Sequence, residues 1–113
     1  MIPDHSAFTH QLTHLTGIPG GRLSDESGLA AVAIGAANAV GLSAHGPPVV
    51  RSGPAGIVVC LLCHGGHVIL HSQPDTSSCL VDIVAAAPSS ATRGIEVIAR
   101  RLGVEMPATG DRR

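Results

Sequence analysis

Three apolar segments follow one another between residues 56 and 86, and they constrain this chain more than anything else in it. GIVVCLLCH (56–64) is almost continuously apolar, the pattern of a strand buried on both faces. GHVILHSQ (66–73) alternates, so that His67, Ile69, His71 and Gln73 face one way and Val68, Leu70 and Ser72 the other. CLVDIVAA (79–86) is a third strand candidate. Gly65-Gly66 reads as a hairpin turn between the first two, and 74–78 as a loop by its Pro, Asp and Ser content.

The flanking sequence supplies the second layer. AFTHQLTHL (7–15) fits a strand with Phe8, His10, Leu12 and His14 on one face and Thr9, Gln11 and Thr13 on the other. A helix placing Phe8, Leu12 and Leu15 together competes, but threonine favours the strand. Residues 16–23 read as a loop. Ser24 is placed as an N-cap for a helix over 25–41, with Asp25 and Glu26 at its positive end and Gly41 as its C-cap. Leu29, Val32, Ala33, Ala36 and Val40 form its apolar stripe, and Gly28, Gly35 and the alanines suit close packing on a sheet. A Pro/Gly-rich stretch over 46–56 holds a short extended piece at 49–51. Pro88, Ser89 and Ser90 announce a second helix over 91–102, and 104–106 adds a short strand before the tail. This order predicts one α+β domain, a two-layer sandwich with two helices on one face of a mainly antiparallel sheet. The ordered core is expected over 8–106 and a fraying tail over 107–113.

Composition narrows the function classes. Only 13% of residues are charged, against roughly 25% in a typical globular protein. With 44% apolar residues, part of the surface is expected to be hidden in a homodimer or higher homo-oligomer. The net charge is −1, with seven arginines, no lysine and no basic run, which argues against nucleic-acid binding. The longest apolar stretch, 28–42, is too short to cross a bilayer, and the first residues lack the pattern of a secretory signal, so a cytoplasmic location is expected. Three cysteines (Cys60, Cys63, Cys79) do not suggest a disulfide framework. Seven histidines in so short a chain, three of them within 64–71, are the first hint of chemistry.

The stretch PAGIVVCLLCHGGHVILHSQPDTSSCLVDIVAAA (54–87) resembles the central segment of the bacterial S-adenosylmethionine decarboxylases. In that family a Gly-apolar strand leads into a Glu-Ser-His processing site. A His-Thr-aromatic-Pro-Glu stretch follows, then an Asp-containing strand ending near a cysteine. Here Gly66-His67 stands at Ser-His, His71-Ser72-Gln73-Pro74-Asp75 at the next motif, and Val81-Asp82-Ile83 at the third. The likeness extends over roughly 8–106 and is specific over 66–83. It implies the family's fold and a ligand pocket, with Gly66, Ser72, Asp75 and His45 as ligand-contact positions.

The departures bear on the chemistry. Family members cut their own chain at the serine, which becomes a pyruvoyl group and serves as the electron sink for decarboxylation. The corresponding position is Gly66, the preceding glutamate is Gly65, and the proton-donating cysteine falls at Ala86. A glycine has no nucleophile with which to start the cleavage, so no pyruvoyl cofactor is expected. Cys63 carries a sulfur that can perform the same acyl shift, but it lies three residues upstream of the matching position.

What remains is imidazole and carboxylate. His71, matching a family histidine, shares a strand face with His67, and such a pair can exchange protons near neutrality without a cofactor. Asp82 can orient an imidazole or bind a cationic ligand group, and Asp75 caps a loop or contacts ligand. Each also has a structural reading, a satisfied imidazole or a turn-capping carboxylate. His10 and His14 either line the same pocket or stand in solvent. Cys63, His64, His67 and His71 are the candidate ligands for a zinc ion, with Cys60 and Cys79 read as core. Cys60-x-x-Cys63-His64 spells a haem-attachment motif, but a strand in a chain without an export signal is the wrong context. The reading expected is a small-molecule-binding domain, acting as a pyruvoyl-independent lyase or isomerase through His71, His67 and Asp82. The alternatives are a non-catalytic partner of an active decarboxylase and a metal-binding module.

Overall fold

The hairpin at the centre of the sequence is also the centre of the molecule. In the computed structural model, which describes residues 7–105 and the backbone of 111–112, β4 (Gly56–His64) runs antiparallel to β5 (Gly66–Gln73). Cys63 pairs with Gly66, so the turn residues are His64 and Gly65, with Gly65 at φ 80°, one residue earlier than the glycine pair suggests. β5 pairs antiparallel with β6 (Ser78–Ala86), and β6 with β1 (Phe8–Leu15). Two short strands, β2 (Ser43–Ala44) and β3 (Val49–Gly53), line the outer edge of β4. On the far edge, β7 (Asp111–Arg112) pairs with Gln11 and Leu12. The strand expected at 104–106 is not formed at Val104 and Glu105, residue 106 lies outside the described residues, and part of the expected tail joins the sheet.

Two long helices cover one face of this sheet. α2 (Glu26–Val40) and α3 (Ala91–Leu102) follow the single turn α1 (Gly20–Leu23), which occupies part of the expected 16–23 loop. The core forms where Val59, Leu61, Val68, Leu70, Val81 and Ile83 meet Leu29, Ala33 and Ala36 of α2 and Ile95 and Ile98 of α3, all inaccessible to solvent. Burial of these side chains contributes roughly 1.5–3 kcal/mol each for the larger ones. α3 approaches β6 at Gly94, where an added Cβ would lie 2.6 Å from Ile83 Cδ1 and 2.9 Å from Val40 Cγ2. Gly28 and Gly35 do not provide the close approach expected of them. Gly28 lies beside the Asp25 carboxylate and Gly35 beneath the Arg101 guanidinium.

Asp25, not Ser24, caps α2. Its carboxylate accepts the Gly28 N–H at 3.0 Å, and Gly41 ends the helix in the left-handed conformation. Asp25→Ala is expected to cost about 1 kcal/mol, read as a lower urea midpoint at unchanged slope.

β1 departs from the usual arrangement of apolar inside and polar outside. Its buried side carries Gln11 and Thr13, each 3% exposed. Thr92 donates to Gln11 Oε1 at 3.1 Å, and Gln11 Nε2 donates to Thr13 at 3.3 Å. Thr9 donates to Ser89 O at 2.8 Å and accepts the Ala91 N–H at 3.3 Å, so a strand hydroxyl serves the first turn of α3. Paired in this way, the buried polar groups avoid the cost of unmet hydrogen bonds.

The opposite face of the sheet has no helix over it. Phe8, Val49, Val58 and Leu62 are 52%, 47%, 37% and 59% exposed there, with Leu12, Ile69, Leu80 and Val84 half-buried between them. β4 is therefore covered on one side only by its own chain, although its sequence reads as buried on both.

Candidate functional site

Strand register sets the side chains of this open face in rows. In one row His10, Val84 and His67 lie side by side on β1, β6 and β5. The next holds Leu12, Asp82 and Ile69, and the third His14, Leu80 and His71. Asp82 thus sits mid-sheet with two histidines diagonal to it on either side, within reach of longer side chains.

The carboxylate leans toward the first row. Asp82 Oδ1 lies 2.5 Å from His10 Nε2, a charge-assisted hydrogen bond in which the imidazole N–H donates. Asp82 Oδ2 lies 3.5 Å from His67 Nε2 and makes no hydrogen bond with it. His67 Nε2 is buried and without a hydrogen-bond partner among the described residues. Such a nitrogen normally finds one, because leaving it unmet costs about 1–3 kcal/mol. The three side chains are about a third exposed, at 33%, 28% and 31% for His10, His67 and Asp82, so a ligand on the open face can reach the cluster, with His67 Nε2 itself beneath the accessible surface.

The other expected site residues are dispersed. His71 is on the open face, exposed, one row from the Asp82 carboxylate and not in contact with it. Ser72 faces the helices, 1% exposed, and donates to Leu23 O at 2.6 Å, tying α1 to the sheet rather than reaching a ligand. Asp75 lies in a 3-10 turn (Pro74–Thr76) beside a notch of about 390 Å³ between the β3–β4 and β5–β6 turns. His45 follows β2 and meets His64 at the far edge of β4. The expected zinc ligands do not converge. Leu62 pairs with His67, so Cys63 and His67 project to opposite faces, and no three His, Cys, Asp or Glu side chains among the described residues are placed to hold a metal ion. Cys79 is core as expected, its thiol pushed up to about 12 by burial. His10 is the residue that sequence reasoning undervalued. Its face was legible, but the β1–β6 pairing that brings it to Asp82 joins segments 72 residues apart.

A family model described as S-adenosylmethionine decarboxylase matches residues 9–110. The chain belongs to the S-adenosylmethionine decarboxylase family. Its fold is similar to that of the adenosylmethionine decarboxylase from Aquifex aeolicus VF5, with a TM-score of 0.78 at 19% identity over 95% of this chain and 87% of that one. A comparison with curated proteins returned no match. No helix among the described residues is long and apolar enough to cross a membrane.

The S-adenosylmethionine decarboxylase resemblance implies a pyruvoyl group at Gly66, and this backbone does not fit one. A Cβ built on Gly66 would lie 2.0 Å from Val84 O and 3.0 Å from Val84 C, inside the backbone of β6. No serine side chain has room there while the β5–β6 ladder holds. Cys63 is engaged elsewhere, its thiol 3.7 Å from Leu61 O, and burial followed by the neighbouring Cys60 raises its pKa and disfavours the thiolate.

Proposed function

We propose that this S-adenosylmethionine decarboxylase family member binds a small amino-acid- or nucleoside-derived ligand over Asp82, between His10 and His67. Its chemistry in this reading is imidazole proton transfer, of the lyase or isomerase kind, without a pyruvoyl group. The observation that carries the reading is the buried His67 Nε2, without a hydrogen-bond partner among the described residues, beside a carboxylate already anchored by His10. His10 fixes Asp82 through Oδ1 and leaves Oδ2 free to receive an ammonium or other cationic group of the ligand. His67 Nε2, buried 3.5 Å from Oδ2, gives or takes the proton of the adjoining atom once a turn of its ring brings it to the open face. His71, one row away, serves as a ligand-contact residue rather than part of the carboxylate cluster.

We further propose that a second copy of the chain covers the open face. A strand with apolar residues on both sides requires burial on both, and a two-fold operation lays this face on itself at the usual sheet-to-sheet spacing of about 10 Å. The face carries little charge, Asp82 and Arg51 standing among apolar side chains and imidazoles.

Thermal-shift measurements with S-adenosylmethionine, its decarboxylated form and the common amino acids test the ligand site. A ligand at a hundred times its Kd stabilises by about 2.7 kcal/mol, a rise of roughly 10 °C for a chain of this size. That rise is expected for the unaltered chain and is expected to disappear in Asp82→Asn and His67→Ala. Equal stabilisation of all three proteins contradicts the site.

A further inference from the structure

Two imidazoles outside the Asp82 cluster meet at the edge of the sheet. His64 closes β4 and pairs with Ser43, and the His45 N–H donates to Leu62 O at 2.7 Å, so backbone bonds fix both residues. His45 Nδ1 lies 3.2 Å from His64 Nε2, with ring centroids 4.5 Å apart and planes tilted by 60°. Both residues are exposed.

The spacing is informative. Two nitrogens on one tetrahedral zinc ion, each bonded at about 2.0–2.1 Å, stand about 3.3 Å apart. The tilt excludes stacking, and the short Nδ1–Nε2 approach brings one nitrogen of each ring to the separation that a shared ion requires. A hydrogen bond between two neutral, exposed imidazoles replaces bonds to water and gains little, so it gives small reason for the convergence. A borderline divalent ion gives a larger one, because imidazole is its preferred nitrogen ligand.

We propose that His45 and His64 form a two-imidazole site for one divalent d-block cation of the zinc kind, with water completing its coordination. The site keeps His64 from the Cys63, His64, His67 and His71 set that sequence spacing suggests, replaces the other three with His45, and is independent of the ligand reading at Asp82.

Equilibrium dialysis of the chelator-stripped, full-length chain against Zn²⁺ tests it. One Zn²⁺ per chain is expected at micromolar concentration. His45→Ala and His64→Ala should each weaken binding by about tenfold or more, with far-UV circular dichroism unchanged, while His14→Ala leaves it unaltered. In ¹⁵N spectra, Zn²⁺ should move the His45 Nδ1 and His64 Nε2 resonances before those of any other histidine. Absence of binding by the unaltered chain, affinity unchanged in both His variants, or binding lost only in Cys63→Ala would each overturn the proposal.

Discussion

Gly66→Ser is expected to leave the chain in one piece and to weaken its fold. Restoring the serine that the family likeness places at this position supplies the missing nucleophile on paper. The folded backbone denies it room, because the new Cβ falls 2.0 Å from Val84 O, a main-chain atom that no rotamer change can move away. Either the hairpin separates from β6 at that end or the β5–β6 register is strained. We expect a cost at the upper end of the ~1–3 kcal/mol typical of overpacking, a fall in Tm of roughly 10–15 °C. Intact mass under denaturing conditions should show one species. Cleavage of the variant with its stability retained would mean that position 66 is open enough for processing, and that the glycine alone silenced it.

The second large effect concerns the open face. The unaltered chain is expected to sediment at micromolar concentration as a dimer, about twice its 11.4 kDa. Val58→Asp combined with Leu62→Asp is expected to sediment as a monomer with its circular dichroism intact. Both side chains point away from the helices and are 37% and 59% exposed in the single chain, so the charges cost the monomer little. In a face-to-face dimer they would be buried unpaired, a penalty of several kcal/mol per ion and enough to separate the copies. A dimer that survives the double substitution places the interface elsewhere, and a monomeric parent removes the second copy from the account.

Much of this architecture was legible because the elements announce themselves locally. The 3/4 spacing of Leu29, Val32, Ala36 and Val40, with Gly41 after it, marks α2, and the alternation from Val68 to Ser72 marks a half-buried strand. The site was legible only in part, for reasons of register. Gly65 and Gly66 are equivalent as turn formers in sequence. Carrying the odd-even alternation straight through the turn puts Cys63 and His67 on one face, whereas a two-residue turn pairs Cys63 with Gly66 and reverses that parity. The pairing of β5 with β6 fixes the actual register, and it is a tertiary fact. His10 and Asp82 lie 72 residues apart in the chain, and their meeting depends on β1 docking beside β6. His45 reaches His64 through a strand of two residues, too short to carry a periodic signal. Asp82 and His67 were recognisable as reactive types on strands, but their arrangement around a shared carboxylate required the sheet order.

Intact-mass spectrometry of the unaltered, freshly purified chain bears most directly on the claim that this family member works without a self-made pyruvoyl group. The account predicts a single species of 11.4 kDa. Two fragments, the later one blocked at its first residue by a ketone and beginning at or near Cys63 or Gly66, would contradict it.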